Sequence, residues 1–333
     1  METLPGQFAD ALTRIEVNGT KHARAIAAHL EVRALLETSG QLNEWGVDTV
    51  LIGSYKRNTG IHPGNDVDVF TKFTKLDTDA SPAEVFGQVC GLLTSHYRDR
   101  AEPQARSVKI RFSDDGFSVD VVPAVRSNNQ WAIPAHEREV WDGSSARWVV
   151  TDPERLSELT MEANKKPQVN GQGAYVPVVK LMRQARKHHR GDARPRGLYI
   201  ELATYDAFRN GMTGDSFAEL FAATLSAVAG RLGTVDTLPL IDPALGTAYQ
   251  PVPDPDDVAA TADLFSNLAE TAARALKADR CQAAFLWRQV MGHNDRGAVF
   301  PLPGLRRDGQ RGAGGDGQPR PGLERGPGLW LSW

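Results

Sequence analysis

Two aspartates one residue apart, Asp66 and Asp68, sit in the alternating run Asp66-Val67-Asp68-Val69. On a strand that spacing puts both carboxylates on one face and both valines on the other, towards a core. Adjacent carboxylates repel one another, and a divalent cation between them relieves the repulsion. Oxygen donors with no cysteine or histidine partner favour Mg²⁺ or Mn²⁺. Upstream, the β-branched run from Val47 to Ile52 ends at Gly53-Ser54, and eleven residues separate Ser54 from Asp66. Glycine lets backbone N–H groups come close to a ligand, and such groups cradle anions. Ser54 adds a hydroxyl, and Lys56 and Arg57 are of the type that reaches phosphate. A third carboxylate, Asp120, alternates with Val119 and Val121 in Phe117-Ser118-Val119-Asp120-Val121-Val122-Pro123. If its strand lies beside that of Asp66, three carboxylates converge as two-metal phosphoryl transfer requires. One cation then holds a polyphosphate. The other acidifies an attacking hydroxyl, and the third aspartate binds that second cation and takes the proton.

Gly-Ser, a gap, Asp-Val-Asp-Val and a distant Val-Asp-Val-Val-Pro together resemble the DNA polymerase β-type nucleotidyltransferase superfamily. Gly53-Ser54-Tyr55-Lys56-Arg57-Asn58-Thr59 with Asp66-Val67-Asp68-Val69 resembles, more narrowly, the bacterial CD-NTases. These are relatives of animal cyclic GMP-AMP synthase and oligoadenylate synthase. Pro177 to Arg186 is similar to that family's helix after the catalytic sheet, and Ile241-Asp242-Pro243 with the helix up to Asp279 is similar to its C-terminal helical portion. The resemblance implies that Gly53 and Ser54 bind the donor triphosphate, that Asp66 and Asp68 hold two metal ions, and that Asp120 completes the site. Lys180 matches a helix lysine that contacts phosphate. Lys180, Arg183 and Lys187 also fall at i, i+3 and i+7, a basic stripe on one helical face. The implied activity joins ribonucleoside triphosphates into a cyclic di- or trinucleotide second messenger, with loss of pyrophosphate, in anti-phage signalling. The implied partners are regulatory proteins of the same defence operon.

The elements that must position these residues change character along the chain. Phe8 to Leu36 reads as helical, with an interruption at Asn18-Gly19 that is either a kink or a break, and this first helix is expected to span both lobes. Short strands follow at 47–52, 66–71, 108–112 and 117–121. Asp114-Asp115-Gly116 supplies turn chemistry between the last two. Ser81-Pro82 opens a helix over 82–97. After Pro123 helices dominate: 152–165, 177–189, 197–210, 215–229 and 255–279, the first announced by Asp152-Pro153-Glu154. The expected class is α+β, and the resemblance implies a polymerase β-like nucleotidyltransferase lobe whose mixed, mainly antiparallel sheet is followed by a C-terminal helical lobe. The expected division is a catalytic lobe over 1–150, a helical lobe over 151–300 that closes the nucleotide cleft, and a tail over 301–333. Gly304 to Gly328 holds nine glycines, three prolines and five arginines, a composition that reads as disordered. The Trp330-Leu331-Ser332-Trp333 ending reads either as a frameshifted end or as a peptide that docks on a partner.

Charge and composition set outer limits. With 38 basic and 41 acidic residues the net charge is −3, which disfavours binding long nucleic acid through bulk charge. No apolar run approaches the length of a membrane span, and the N-terminus lacks a basic flank followed by an apolar core. Two cysteines cannot build a disulfide framework. The expectation is a cytoplasmic globular enzyme without a membrane partner. Two other functions fit less of the sequence. A nucleotidyltransferase acting on RNA, a protein or a small molecule shares the triad but differs in its acceptor. A non-catalytic nucleotide sensor is disfavoured because all three carboxylates are intact.

Overall fold

Two hydrophobic clusters organise the chain, one under a sheet and one inside a helical bundle. The computed structural model describes residues 2–303 apart from 18, 65, 113–115, 138–140, 142–146, 236–237 and 251. Asp114-Asp115 of the expected turn and the tail from 304 onward lie outside the described residues. Residues 1–303 make one compact unit that holds both clusters.

The interruption expected at Asn18-Gly19 is a break and not a kink: the stretch forms two helices, α1 (Pro5–Ile15) and α2 (Gly19–Thr38). At Glu16 the backbone turns extended, with ψ at 148°. The Ile15 carbonyl accepts a hydrogen bond from His62 N at 2.7 Å instead of continuing the helical ladder. The two helices serve different cores. Phe8, Ala11 and Ile15 of α1 join the helical cluster, whereas Ala25, Ala28, Val32 and Leu36 of α2 pack under the sheet. Each of these two helices therefore places its buried residues named here in one core only.

After a short α3 (Gly40–Glu44), the sheet begins. Its strands are β1 (Val47–Ile52), β2 (Asp66–Asp77), β3 (Ala101–Pro103), β4 (Val108–Arg111), β5 (Ser118–Ser127), β6 (Gln130–Pro134) and β7 (Trp148–Thr151). The order is β1-β2-β5-β4-β3, with β6 pairing β5 and β7 pairing β6. Only β2 and β5 run parallel; the other pairs are antiparallel. The sheet is thus mixed and mainly antiparallel. One turn of helix, α4 (Gly53–Lys56), follows β1 directly. α5 (Pro82–Tyr97) covers the sheet beside α2, capped by Ser81 as its sequence predicts. Val67, Val69, Val119 and Val121 point into this core, so the opposite face of the same strands carries the aspartates.

The rest is helical: α6 (Pro153–Ala163), α7 (Tyr175–Arg190), α8 (Gly197–Arg209), α9 (Phe217–Leu232), α10 (Pro255–Lys277) and α11 (Arg280–Met291). Asp152 caps α6, accepting from Arg155 N at 2.9 Å. The predicted helix over 255–279 ends at Lys277, and Asp279 starts α11, which its sequence pattern did not announce. α11 supplies Trp287, wholly buried, with its ring 5.0 Å from Phe8 and 5.8 Å from Phe221. Aromatic pairs of this kind add roughly 0.5–1.5 kcal/mol each beyond area burial. Phe8 also meets Phe300, so the segment after α11 closes the bundle over α1.

Candidate active site

The parallel register of β2 and β5 decides where the carboxylates meet. Asp66 lies opposite Ser118, and Asp68 lies opposite Asp120. The Ser118 hydroxyl donates to Asp66 Oδ1 at 2.7 Å, which holds the outer carboxylate in place. The three aspartates therefore share one face of two adjacent strands, the face turned from the valine core.

Charge crowding marks this face. The Asp68 carboxyl is raised to about 6, first by burial and then by Asp66, against the pull of Arg57, Lys109 and Arg183. The Asp120 carboxyl is raised to about 7, first by burial, with Lys109 opposing and Asp68 and Asp66 adding to the rise. Asp120 Oδ1 is buried and accepts no hydrogen bond among the described residues. A buried, unpartnered carboxylate oxygen beside two more carboxylates is a site short of a cation. Lys109 partly supplies one. β4 sets it opposite Asp120, and its Nζ lies 3.6 Å from Asp66 Oδ1 and 3.8 Å from Asp120 Oδ2. Among the described residues, no three His, Cys, Asp or Glu side chains stand as a ready metal cage. The donors nonetheless fit a hard divalent ion: all are carboxylate oxygens, they share one face, and one of them lacks a partner.

Gly53 ends β1 directly beside this group, since Ile52 pairs with Asp68 across the β1–β2 ladder. Its φ is +73°, and a Cβ there would collide with the Asp68 carboxylate. Only glycine satisfies both the left-handed backbone and the close approach. The chain then wraps tightly: Thr59 N and Gly60 N donate to the Ser54 carbonyl at 2.9 and 3.2 Å. Ser54 is thus held at the mouth of a short loop next to the carboxylates, half-buried, while Lys56 is exposed.

Arg57 departs from expectation. Its side chain is buried, and Nε donates to Glu201 Oε1 of α8 at 2.6 Å. Glu201 also accepts from the Thr59 hydroxyl at 3.0 Å, and Arg183 of α7 lies 3.6 Å from it while donating to the Thr59 carbonyl at 3.0 Å. Arg57 therefore fastens the loop to α7 and α8 and does not face solvent. A lysine or arginine after a glycine-serine turn has the right charge for phosphate; its burial against Glu201 depends on a residue 144 positions away. Lys180 is also buried. Its Nζ donates to Glu16 Oε1 at 3.1 Å and to Asn58 Oδ1 at 3.2 Å, which brings it to the same loop. Of the predicted basic stripe, Lys180 and Arg183 turn inward and Lys187 is exposed.

Two residues of this site are not among those the sequence singles out. Lys109 was legible in part, because Val108-Lys109-Ile110 alternates and its polar position had to share a face with Asp120 once β4 and β5 paired. Glu201 carried no signal; among Ile200, Leu202 and Ala203 it reads as an ordinary helix glutamate. Among the described residues, no helix is long and apolar enough to cross a membrane.

Comparison with known proteins adds independent support. Residues 1–164 match the family described as the Second Messenger Oligonucleotide or Dinucleotide Synthetase domain. The cyclic AMP-AMP-AMP synthase of Acinetobacter sp. (strain ATCC 27244 / 9458) is 29% identical over 313 residues, covering 87% of this chain and 85% of that protein. The cyclic AMP-AMP-GMP synthase of Enterobacter hormaechei subsp. hoffmannii (strain UCI 50) is 25% identical over 366 residues, covering 91% and 93%. Among solved structures, CdnC of E. coli MS115-1 in its complex with HORMA-deltaN superposes with a TM-score of 0.66 at 19% identity, over 89% of this chain and 98% of that one.

Proposed function

This chain belongs to the bacterial CD-NTases and is a nucleotidyltransferase, and from that premise we propose that it joins ribonucleoside triphosphates into a cyclic di- or trinucleotide second messenger in anti-phage signalling. One observation carries the reading: the β2–β5 register gathers Asp66, Asp68 and Asp120 on one face of the sheet next to Gly53-Ser54. The similarity to synthases of cyclic AMP-AMP-AMP and cyclic AMP-AMP-GMP supports ATP as one substrate.

In this reading Asp66, Asp68 and Asp120 hold two Mg²⁺ or Mn²⁺ ions. Bound divalent ions supply positive charge that offsets the polyphosphate and lowers the pKa of a ribose hydroxyl. The chain's own residues do the rest. The Gly53 backbone and the Ser54 hydroxyl bind the donor triphosphate, and Lys180, tied to the same loop through Asn58, adds charge against phosphate. Arg57 and Arg183 position that loop through Glu201. The attacking ribose oxygen forms a bond to the α-phosphorus, the bond to the β-phosphate oxygen breaks, and pyrophosphate leaves. Asp120, whose carboxyl is raised to about 7, takes the hydroxyl proton. After one such transfer for a dinucleotide, or two for a trinucleotide, a last intramolecular transfer of the same kind onto the chain's own 5′-triphosphate closes the ring and releases one more pyrophosphate. A regulatory protein partner fits the likeness to the E. coli protein, which was solved in complex with HORMA-deltaN.

The test is a product assay. Purified protein is incubated with four labelled ribonucleoside triphosphates and Mg²⁺ or Mn²⁺, treated with phosphatase, and analysed by chromatography and mass spectrometry. The expected result is a phosphatase-resistant product of cyclic mass, abolished by Asp66→Asn with Asp68→Asn in a chain whose circular dichroism is unchanged. Full activity in that double variant overturns the mechanism.

A further inference from the structure

A cation already stands among the carboxylates. Lys109 spans Asp66 and Asp120 with its ammonium 3.6 and 3.8 Å from their oxygens. Its backbone is fixed, because the flanking Val108 and Ile110 are wholly buried. Its side chain keeps 26% of its surface open to water. Both contacts are longer than a direct charge-assisted hydrogen bond, so the ammonium bridges the pair loosely. It also has somewhere else to go. On the far side of β4, antiparallel β3 sets Glu102 opposite Lys109. Cross-strand neighbours share a face of the sheet. Lys109 therefore has a carboxylate on either hand: Asp120 inward, and outward Glu102, which is exposed and paired with Arg111.

We infer that Lys109 is a tethered counter-ion that bridges the carboxylate face in the metal-free protein and is displaced towards Glu102 and solvent when divalent metal enters, so that it sets the metal concentration at which the site loads. The inference rests on the proposed role of the three aspartates as metal ligands. Its size follows from charge alone. A unit positive charge about 6 Å from a dication repels it, even at the dielectric of water, enough to weaken binding about tenfold. A lysine whose ammonium lay well away from the carboxylates would have no such effect.

The experiment titrates Mn²⁺ into the full chain without nucleotide, by calorimetry, and follows thermal melting in EDTA and in saturating Mn²⁺. Lys109→Met keeps the aliphatic stem and removes the charge; it should bind Mn²⁺ about tenfold tighter than the wild type. Lys109→Arg keeps the charge and should bind like the wild type. Lys109→Met should melt below the wild type in EDTA and at or above it in Mn²⁺. Equal or weaker Mn²⁺ binding by Lys109→Met overturns the inference, as does a melting deficit of the same size with and without metal. The Asp66→Asn, Asp68→Asn double variant separates the two layers. If it binds Mn²⁺ as tightly as the wild type, the metal-ligand reading itself fails, and the inference falls with it.

Discussion

Replacing Asp68 by asparagine should stabilise the metal-free protein while removing its activity. The Asp68 carboxyl is raised from the ordinary 3.8 to about 6, mainly by burial and then by Asp66. The folded state therefore holds this proton more tightly than the unfolded chain does. Stability from that proton is fully present below about pH 4 and is lost as pH rises through about 6, because the unfolded chain ionises first. At about 1.4 kcal/mol for each tenfold change in ionisation, keeping Asp68 charged at pH 8 costs the fold about 3 kcal/mol. The asparagine side chain has no charge to desolvate. In EDTA at pH 8 the variant should be more stable by about 3 kcal/mol, and at pH 5 by about half as much. Urea unfolding followed by tryptophan fluorescence at the two pH values measures both differences. Saturating Mg²⁺ should shrink or reverse the gain, since the cation favours the carboxylate over the amide. A variant less stable than the wild type at pH 8, or a gain equal at pH 5 and pH 8, would refute the argument that a buried, crowded charge is what Asp68 contributes.

Three further outcomes follow from the same geometry. Asp120, raised to about 7, must lose its proton to hold metal or to accept the hydroxyl proton, so turnover at low Mg²⁺ should fall as pH drops through about 7. Raising Mg²⁺ should move that fall to lower pH, and kcat/KM against pH at two Mg²⁺ concentrations reads the shift. Gly53→Ala should cost about 1–2 kcal/mol for its left-handed backbone and should abolish turnover by forcing the Asp68 carboxylate aside. Gly60→Ala, whose added Cβ would lie 3.6 Å from Ser54 Oγ, in ordinary contact, is the matched control and should be near neutral in melting. Lys180→Ala should raise KM for nucleotide while Mn²⁺ binding stays unchanged; an unaltered KM and kcat would take Lys180 out of the phosphate site.

The strand face was legible because period-two alternation is a local property. Asp66-Val67-Asp68-Val69 and Val119-Asp120-Val121 each state which side is core without reference to any other segment. Capping was legible for the same reason, and Ser81 and Asp152 start their helices where a hydroxyl or carboxylate can reach an N–H three residues on. Whether the first helical stretch kinks or breaks near Asn18-Gly19 was not legible; it breaks from Glu16, where a hydrogen bond from His62 captures the Ile15 carbonyl. Periodicity continues across such a break because each half has its own apolar face, and nothing local says that the faces serve different cores.

The site's limits of legibility follow the same division. Asp68 opposite Asp120 is a register, and a register is fixed by pairing between strands some fifty residues apart, so the convergence of the triad could only be conditional on β2 lying beside β5. Arg57 shows what happens when charge type is read without burial. In isolation a basic residue after Gly53-Ser54 is a phosphate ligand, but in the fold it is enclosed with Glu201, Thr59 and Arg183. A buried guanidinium needs a buried carboxylate, because desolvating either charge alone is prohibitive. The sequence position of that carboxylate is set by how α8 packs on α7. The same packing ties the loop around Ser54 to the helical bundle, while Gly53 lets it lie close against Asp68 on the sheet. The proposed phosphate-binding segment is thus clamped from both cores, so a substitution at Glu201 or Arg183, far from any carboxylate ligand in sequence, acts on the same loop that Gly53 sets against the triad.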